Sequence, residues 1–325
     1  MKRKEQFEKL FNNEMKAEDA KAFLIELYER GETSSEIATA ASIMRAHSVK
    51  LPISSALQER AIDVVGTGGD KIGSFNISTT VSLLLASLGL VVAKHGSRSV
   101  TSRSGAADLL ETLGIHLNLT PENQVRMLEE TGFCFIFAMN HHPVMKHLMP
   151  IRKSIPHRTI FNILGPLTNP AGAKKYLLGV FSPEYIDRMA KALLELGVKR
   201  AFVVSSDDGM DEISLATNTY FSYVEGGIVS QGIIDPASFG FKRVPQKAII
   251  GGSAKENAAI TKAIFSQRAT DAQRDIVLLN AGFALFADGR ARDIHEAFEM
   301  AREAIESGKA SAHLERIAKI SQKLA

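Results

Sequence analysis

Two polar loops dominate the chemistry that this sequence can offer. Between Gly66 and Thr79 the chain reads GTGGDKIGSFNIST, and between Lys94 and Gly105 it reads KHGSRSVTSRSG. In the first loop, glycines let the backbone approach a ligand closely, and consecutive turn amides can form an anion-binding nest. Asn76, Ile77, Ser78 and Thr79 then open a helix, whose free N–H groups and positive dipole end favour a phosphate. A tight strand-to-helix turn also uses glycine, but the dense polar run that follows favours a bound ligand. The spacing is neither that of the P-loop nor that of the dinucleotide-binding fingerprint. In the second loop, Lys94, Arg98 and Arg103 bring three cations into ten residues among small hydroxyls. That mixture suits a polyanion such as pyrophosphate. His95 reads either as a ligand contact or as a capping histidine.

A third feature is acidic: Asp207-Asp208-Gly209-Met210-Asp211-Glu212. Carboxylates at a strand end suit Mg²⁺, which takes hard oxygen ligands and keeps several waters. An acidic surface turn looks the same in isolation. Opposite two anion-binding loops the metal reading prevails, because pyrophosphate needs a divalent cation to leave. A fourth stretch holds His141-His142-Pro143, Arg152 and the run RTIFNILGPLTNP from Arg158 to Pro170. Arg152 reads equally as a carboxylate clamp or as a surface arginine on a helix.

The elements that must hold these loops follow from periodicity. Residues 1–60 read as short amphipathic helices, with Phe7, Leu10 and Phe11 on one face and Phe23, Leu24, Leu27 and Tyr28 on the next. Thr33-Ser34-Ser35-Glu36 and Asp293-Ile294-His295-Glu296 are capping-box patterns. From residue 62 the pattern changes to strands alternating with helices. Strands are expected at 62–65, 90–93, around Cys134, 176–180 and 201–205. Helices are expected at 76–88, 104–114, after Thr120-Pro121 and at 183–196. This alternation implies a mainly parallel sheet flanked by helices. Functional loops in such sheets gather at the carboxyl ends of strands, so both glycine-containing loops should open onto one crevice.

Composition sets the remaining bounds. The chain has 325 residues, enough for a large core and two domains. Lys plus Arg number 39 against 36 Asp plus Glu, an excess too small to argue for a nucleic-acid partner. The lone Cys134 lies in the apolar run FCFIF and reads as a packing residue. The charged N-terminus has no signal-peptide or lipidation pattern, and no window approaches the ~20 apolar residues of a membrane span. A reducing cytoplasm is the expected location.

Taken together, GTGGD with FNIST, KHGSRSVTSRSGAADLLETLG, GMDE and RTIFNILGPLTNP resemble the anthranilate phosphoribosyltransferase family over almost the whole chain. The resemblance implies an α/β fold of the nucleoside phosphorylase and phosphoribosyltransferase type. It implies a small helical domain at 1–61, joined by a helical insertion near 150–175, and a large α/β domain at 62–325. A homodimer through the small domains is implied too, with Mg²⁺ as cofactor and no nucleic-acid or membrane partner. Whether anthranilate synthase docks on it is left open.

Carried over residue by residue, Gly66, Gly69, Asp70, Ser74, Asn76, Ile77, Ser78 and Thr79 match the site for phosphoribosyl pyrophosphate. Lys94, His95, Gly96, Ser97, Arg98, Ser99, Val100, Thr101, Ser102 and Ala106 match its second wall. Ser78, Asp211 and Glu212 match the Mg²⁺ ligands. Gly66, His95, Ser97, His142, Arg152 and Pro166 match the anthranilate site. The expected catalysis is electrostatic, with Lys94 as its side-chain cation and no covalent nucleophile or general base. Three positions depart from the family pattern: Ser97 for an asparagine, Ala106 for a serine and Met139 for a proline. Ser97 shortens one anthranilate contact and leaves acceptor choice open. The rival readings are a pyrimidine nucleoside phosphorylase, whose second loop carries a different Lys-x-Ser-Gly-Arg run, and a nucleic-acid-binding relative on the same fold.

Overall fold

The computed structural model describes residues 2–70, 72–99 and 103–325. Among these residues seven strands form one sheet: β1 (Ala61–Gly66), β2 (Val91–Gly96), β3 (Phe133–Phe137), β4 (Lys175–Gly179), β5 (Arg200–Ser206), β6 (Thr219–Glu225) and β7 (Ile228–Ile234). Their order is β3-β2-β1-β4-β5-β6-β7. The first five run parallel, and β6 and β7 add antiparallel to one edge. The parallel strands are nearly continuous runs of Val, Ile, Leu and Phe, as burial on both faces demands.

The expected strands are present, and the sheet also holds the β6–β7 hairpin, which the sequence reading does not include. Its signal is the Gly226-Gly227 pair between TYFSYVE and IVSQGII, both glycines at positive φ.

The chain changes direction between β1 and β4, so the loops after β1, β2 and β4 lie beside the switch in strand order, where ligands gather in open α/β sheets. The helix Ile77–Ser87 follows β1 and is buried along almost its whole length. It packs on β1 and β2 beneath the helices Asp271–Asp288, Ile294–Glu306 and Lys309–Lys323. Its hydroxyls are satisfied inside the core: Ser82 donates to the Ser78 carbonyl at 2.8 Å and Ser87 to the Leu84 carbonyl at 2.6 Å.

The helices Lys2–Phe11, Ala17–Arg30, Ser34–Ala46 and Ser55–Arg60 precede the sheet. The capping box at Thr33 and Glu36 is formed in both directions. At Asp293 only half of it forms, because the Glu296 carboxylate takes the Arg292 amide rather than that of Asp293. The stretch after β3 returns to these first helices. Phe161 meets Phe11 edge-on at 5.9 Å, Arg45 Nε donates to the Leu167 carbonyl at 2.6 Å, and Gln58 donates to the Ala171 carbonyl at 3.2 Å.

Candidate active site

β1 delivers the GTGGD turn and β5 leads into the GMDE turn, and the two interlock. The Gly68 amide donates to Asp211 Oδ2 at 2.6 Å. A Cβ built on Gly66 would stand 2.3 Å from that same oxygen, so only glycine permits this approach. One helix start farther on, the Ser78 amide donates to Glu212 Oε1 at 2.9 Å. A carboxylate therefore occupies a place at a helix N-terminus where a phosphate is also favoured.

Among the described residues the acidic groups lack matching positive charge. Burial, then the neighbouring Asp70, pushes the Asp211 carboxyl up to about 6. Burial followed by Asp211 and Asp70 holds Glu212 well above the ordinary range, and burial also raises Asp70. The cation that acts in this field is Lys94 of β2. It is buried, its Nζ donates to the Val64 carbonyl at 2.7 Å, and burial lowers its pKa against the pull of Asp63 and Glu212.

Among the described residues no three His, Cys, Asp or Glu side chains are grouped closely enough to hold an ion alone. Mg²⁺ does not ask for that: it binds through one or two carboxylates plus substrate phosphates and water. Asp211 and Glu212 are hard oxygen donors, raised first by burial and then by neighbouring carboxylates whose repulsion a cation would relieve, so the donor set fits a phosphate-shared Mg²⁺.

The first loop is braced from several sides. The Phe181 amide donates to Thr67 Oγ1 at 3.1 Å, and Ser74 makes a bridge to Ile250. Asn76 is committed to the protein, donating to the Ser104 carbonyl at 3.1 Å and accepting from Asn257 Nδ2 at 2.9 Å. Thr79 is buried inside the helix. Arg158 donates to the Gly69 carbonyl at 2.8 Å while its guanidinium lies 3.5 Å from the centre of the Phe181 ring.

In the second loop, Arg98 turns away from any ligand role that its charge suggested. It pairs with Asp108 at 2.8 Å and with Glu111, and lies over the Phe137 ring. Asp108 also accepts the amides of Gly105 at 2.9 Å and Ser99 at 3.3 Å, fixing the loop's return. Ser97 is exposed, and its carbonyl accepts the Ala107 amide at 3.3 Å. Gly96 lies against the Phe135 ring, with Ala106 beside it. Val100, Thr101 and Ser102, expected on this wall, lie outside the described residues.

A pair of buried histidines joins the second loop to the stretch after β3. His95 Nδ1 lies 3.1 Å from the Gly165 carbonyl, and its Nε2 lies 3.2 Å from His142 Nε2. A carbonyl can only accept, so His95 Nδ1 carries the proton and its Nε2 has the lone pair. His142 Nε2 must then donate, which leaves His142 Nδ1 as a buried acceptor with no donor among the described residues. Burial, then His141, lowers His142 to about 4, and burial followed by His142 lowers His95 well below its ordinary value. Both rings are neutral near pH 7.

Pro166 is buried in the 3₁₀ turn beside Gly165. Arg152 lies over the Phe161 ring at 5.4 Å, with burial lowering its pKa and no carboxylate partner among the described residues. Met139 is 70% exposed.

Sequence reasoning overlooked the residue that ties these parts together. Asp63 is fully buried in β1. Its Oδ1 accepts the His95 amide at 3.2 Å and its Oδ2 accepts Asn169 Nδ2 at 2.8 Å. Burial pushes it up to about 7 against the pull of Lys94. The available signal was one carboxylate inside an apolar strand, since a charge is rarely buried without partners. Asn257 carried no signal that spacing could reveal, and Arg158 enters the sequence reading only as the first residue of RTIFNILGPLTNP, with no role of its own.

A family model described as "Glycosyl transferase family, a/b domain" matches residues 58–311. The chain is 46% identical to the anthranilate phosphoribosyltransferase of Aquifex aeolicus over 91% of its own length and 86% of that protein's. The chain belongs to the anthranilate phosphoribosyltransferase family. It is 44% identical to the Rubrobacter xylanophilus enzyme, over 94% and 88% of the two lengths. The solved anthranilate phosphoribosyltransferase of Thermus thermophilus superposes with a TM-score of 0.92, at 40% identity, covering 98% and 94% of the two chains. The Saccharomyces cerevisiae enzyme in complex with PRPP and Mg superposes with a TM-score of 0.85 at 28% identity, covering 94% and 86%. Membership makes the chain a pentosyltransferase of tryptophan biosynthesis, and the family relatives do not support the nucleoside phosphorylase reading.

Proposed function

We propose that the chain moves the phosphoribosyl group of 5-phosphoribosyl 1-pyrophosphate onto the amine of anthranilate, giving N-(5-phosphoribosyl)anthranilate and pyrophosphate. The observation that carries this reading is the meeting of the GTGGD turn with Asp211 and of the Ser78 amide with Glu212. A diphosphate recognised by the first loop would there face carboxylates suited to share its cation.

In this reading Gly66, Gly69, Asp70, Ser74 and the helix start at Asn76–Thr79 line the sugar diphosphate, with Lys94, His95, Gly96, Ser97, Ser99 and Ala106 opposite. Ser78, Asp211 and Glu212 hold Mg²⁺, directly or through water. Mg²⁺ supplies charge neutralisation to the leaving pyrophosphate when bound. The bond between the anomeric carbon and the diphosphate oxygen breaks with its electrons on oxygen, the amine nitrogen supplies the pair for the new bond, and the nitrogen then gives up one proton, which the released pyrophosphate can take. Lys94, held by the Val64 carbonyl, adds fixed positive potential from beneath the loops.

Gly66, His95, Ser97, His142, Arg152 and Pro166 form the acceptor site. Arg152 has no carboxylate partner among the described residues and suits that of anthranilate. The lone pair at His142 Nδ1 suits an aromatic N–H donor. An arylamine is neutral at pH 7, so the chemistry needs positioning more than a strong base.

The helices before β1 and the returning stretch near 150–175 form a small unit in this reading, and the remainder of 62–325 a large one. Two copies pair through the small units, in the cytoplasm. Among the described residues no helix is long and apolar enough to cross a membrane. The deciding assay mixes protein, Mg²⁺, phosphoribosyl pyrophosphate and anthranilate and follows loss of anthranilate fluorescence. Turnover only with another aromatic amine would move the acceptor assignment to the Ser97 difference. No turnover with any of them would overturn the proposal.

A further inference from the structure

At the opposite end of the sheet, where β1, β2 and β3 begin, lies a groove of about 530 Å³. Arg60, Arg290, Lys309 and Arg316 line it, with His313 between the last two. Residues 309, 313 and 316 follow the spacing that puts side chains on one helix face. Glu129 and Glu130 line the same groove. Among the described residues, however, none of the four cations forms an ion pair with any carboxylate.

Helix ends account for part of this arrangement. Arg290 donates to the Leu88 carbonyl at 2.9 Å, Arg316 to the Glu130 carbonyl at 2.8 Å, and His313 Nε2 to the Thr131 carbonyl at 2.7 Å. Cations commonly serve helix C-termini in this way. Each arginine keeps further N–H donors, and the carbonyls hold both guanidiniums in place. Arg60 closes the last turn of its own helix, where a cation is favoured, but its side chain donates to no carbonyl among the described residues, and helix ends do not account for Lys309. Lys309 opens its helix, where positive charge is unfavourable, after a Gly308 cap with no side-chain bond and no acid in the first turn. The local field is positive: burial holds His313 below its ordinary pKa, and Arg316 and Lys309 push it lower despite the Thr131 carbonyl.

We propose that this groove is a second anion site, separate from the candidate active site, for a small ligand of the phosphate or diphosphate class carrying at least two negative charges. Such a ligand would pair with Arg60 and Lys309 and use the free N–H groups of Arg290 and Arg316. The helix Ile77–Ser87 links the two regions, since Ala86 and Ser87 line the groove while Ser78 meets Glu212.

His313 is the local reporter. It faces Lys309 and Arg316 on its own helix, and Arg60, Arg290, Glu129 and Glu130 across the groove. Its NMR titration is measured on the whole chain without Mg²⁺, with and without millimolar inorganic pyrophosphate, the signal being assigned by His313→Gln. Bound pyrophosphate is expected to raise its pKa, saturably, by roughly 0.5–1 unit. The same rise is expected in Asp211→Asn/Glu212→Gln, because the active-site carboxylates take no part. The double variant Arg60→Gln/Lys309→Gln alters two surface side chains and should weaken the response at least severalfold. An unmoved titration would overturn the proposal. So would an equal rise from sodium chloride at matched ionic strength, or an equal response in the Arg60/Lys309 variant, since screening alone would then explain it.

Discussion

The Ser78 amide and Glu212 Oε1 are 2.9 Å apart, joining residues separated by 134 positions. Glu212 thereby caps a buried helix, and in the proposed function it also shares the cation of the diphosphate. Those two duties can be separated. Glu212→Gln keeps a carbonyl oxygen for the amide but loses the charge, and Asp211→Asn does the same for Gly68.

The double variant Asp211→Asn/Glu212→Gln is therefore expected to melt close to the parent while losing Mg²⁺-dependent turnover. The loss should be at least the roughly 10–100-fold seen when supporting partners of metal ligands are removed. Steady-state rates across a Mg²⁺ series decide it. Full activity at low Mg²⁺ would remove both residues from the metal site.

Two glycines beside Asp211 predict different outcomes for one change. A Cβ on Gly66 would stand 2.3 Å from Asp211 Oδ2, the end of a side chain that can swing away. Gly66→Ala should thus fold but hold the carboxylate out of place, with Mg²⁺ affinity and turnover falling together. A Cβ on Gly179 would stand 1.5 Å from the Asp211 backbone carbonyl, which cannot yield without moving the turn. Gly179→Ala should lose stability outright. Metal titration and thermal melts of the two variants test the contrast; a Gly66→Ala protein with parental Mg²⁺ affinity would refute it.

Which parts of this architecture were legible follows from the kind of order each part expresses. β1 to β5 could be read because burial on both faces leaves short, mostly apolar runs, broken by Asp63 in β1 and by Lys94 and His95 in β2. The Thr33 capping box could be read because its partners are three residues apart. The β6–β7 hairpin escaped because its side chains mix apolar and polar on an edge, although Gly226-Gly227 marks the turn. Arg98 looked like a phosphate ligand, yet Asp108 and Glu111 claim it from the next helix. Spacing alone cannot tell a cation awaiting a ligand from one already paired. The Asp63–Asn169 contact spans 106 positions, and only the fold brings its ends together.

Arg152 tests the acceptor site. Its guanidinium rests on Phe161 with no carboxylate partner among the described residues. A charge-assisted bond contributes about 1.5–3 kcal/mol, so Arg152→Ala should raise the anthranilate KM roughly tenfold to a hundredfold. A contact made equally in ground and transition states leaves kcat nearly unchanged. Arg152→Lys should recover only part of the loss, since an ammonium cannot pair with both carboxylate oxygens. An unchanged KM in Arg152→Ala would assign the carboxylate to another residue.

The histidine pair makes a prediction about acid. His142 falls from an ordinary value of 6.5 to about 4 because burial disfavours its charged form. Below pH 6.5 the unfolded chain then binds a proton that the folded chain refuses. Its contribution is complete above pH 6.5 and is lost as pH falls toward 4, on the order of 3 kcal/mol across that window. Asp63 and Asp211 act in the opposite sense, because their raised pKa values remove stability as pH rises toward 7 and 6 respectively. A variant that keeps both carboxylates cancels them. The stability of the parent minus that of His142→Gln, from urea titrations between pH 4.5 and 7.5, should therefore shrink steadily as pH falls. Glutamine can still donate to His95 Nε2, so the pair contact survives the comparison. A difference that stays flat across the range would mean that His142 titrates alike in the folded and unfolded chain, and the inference that burial keeps its ring neutral would fail.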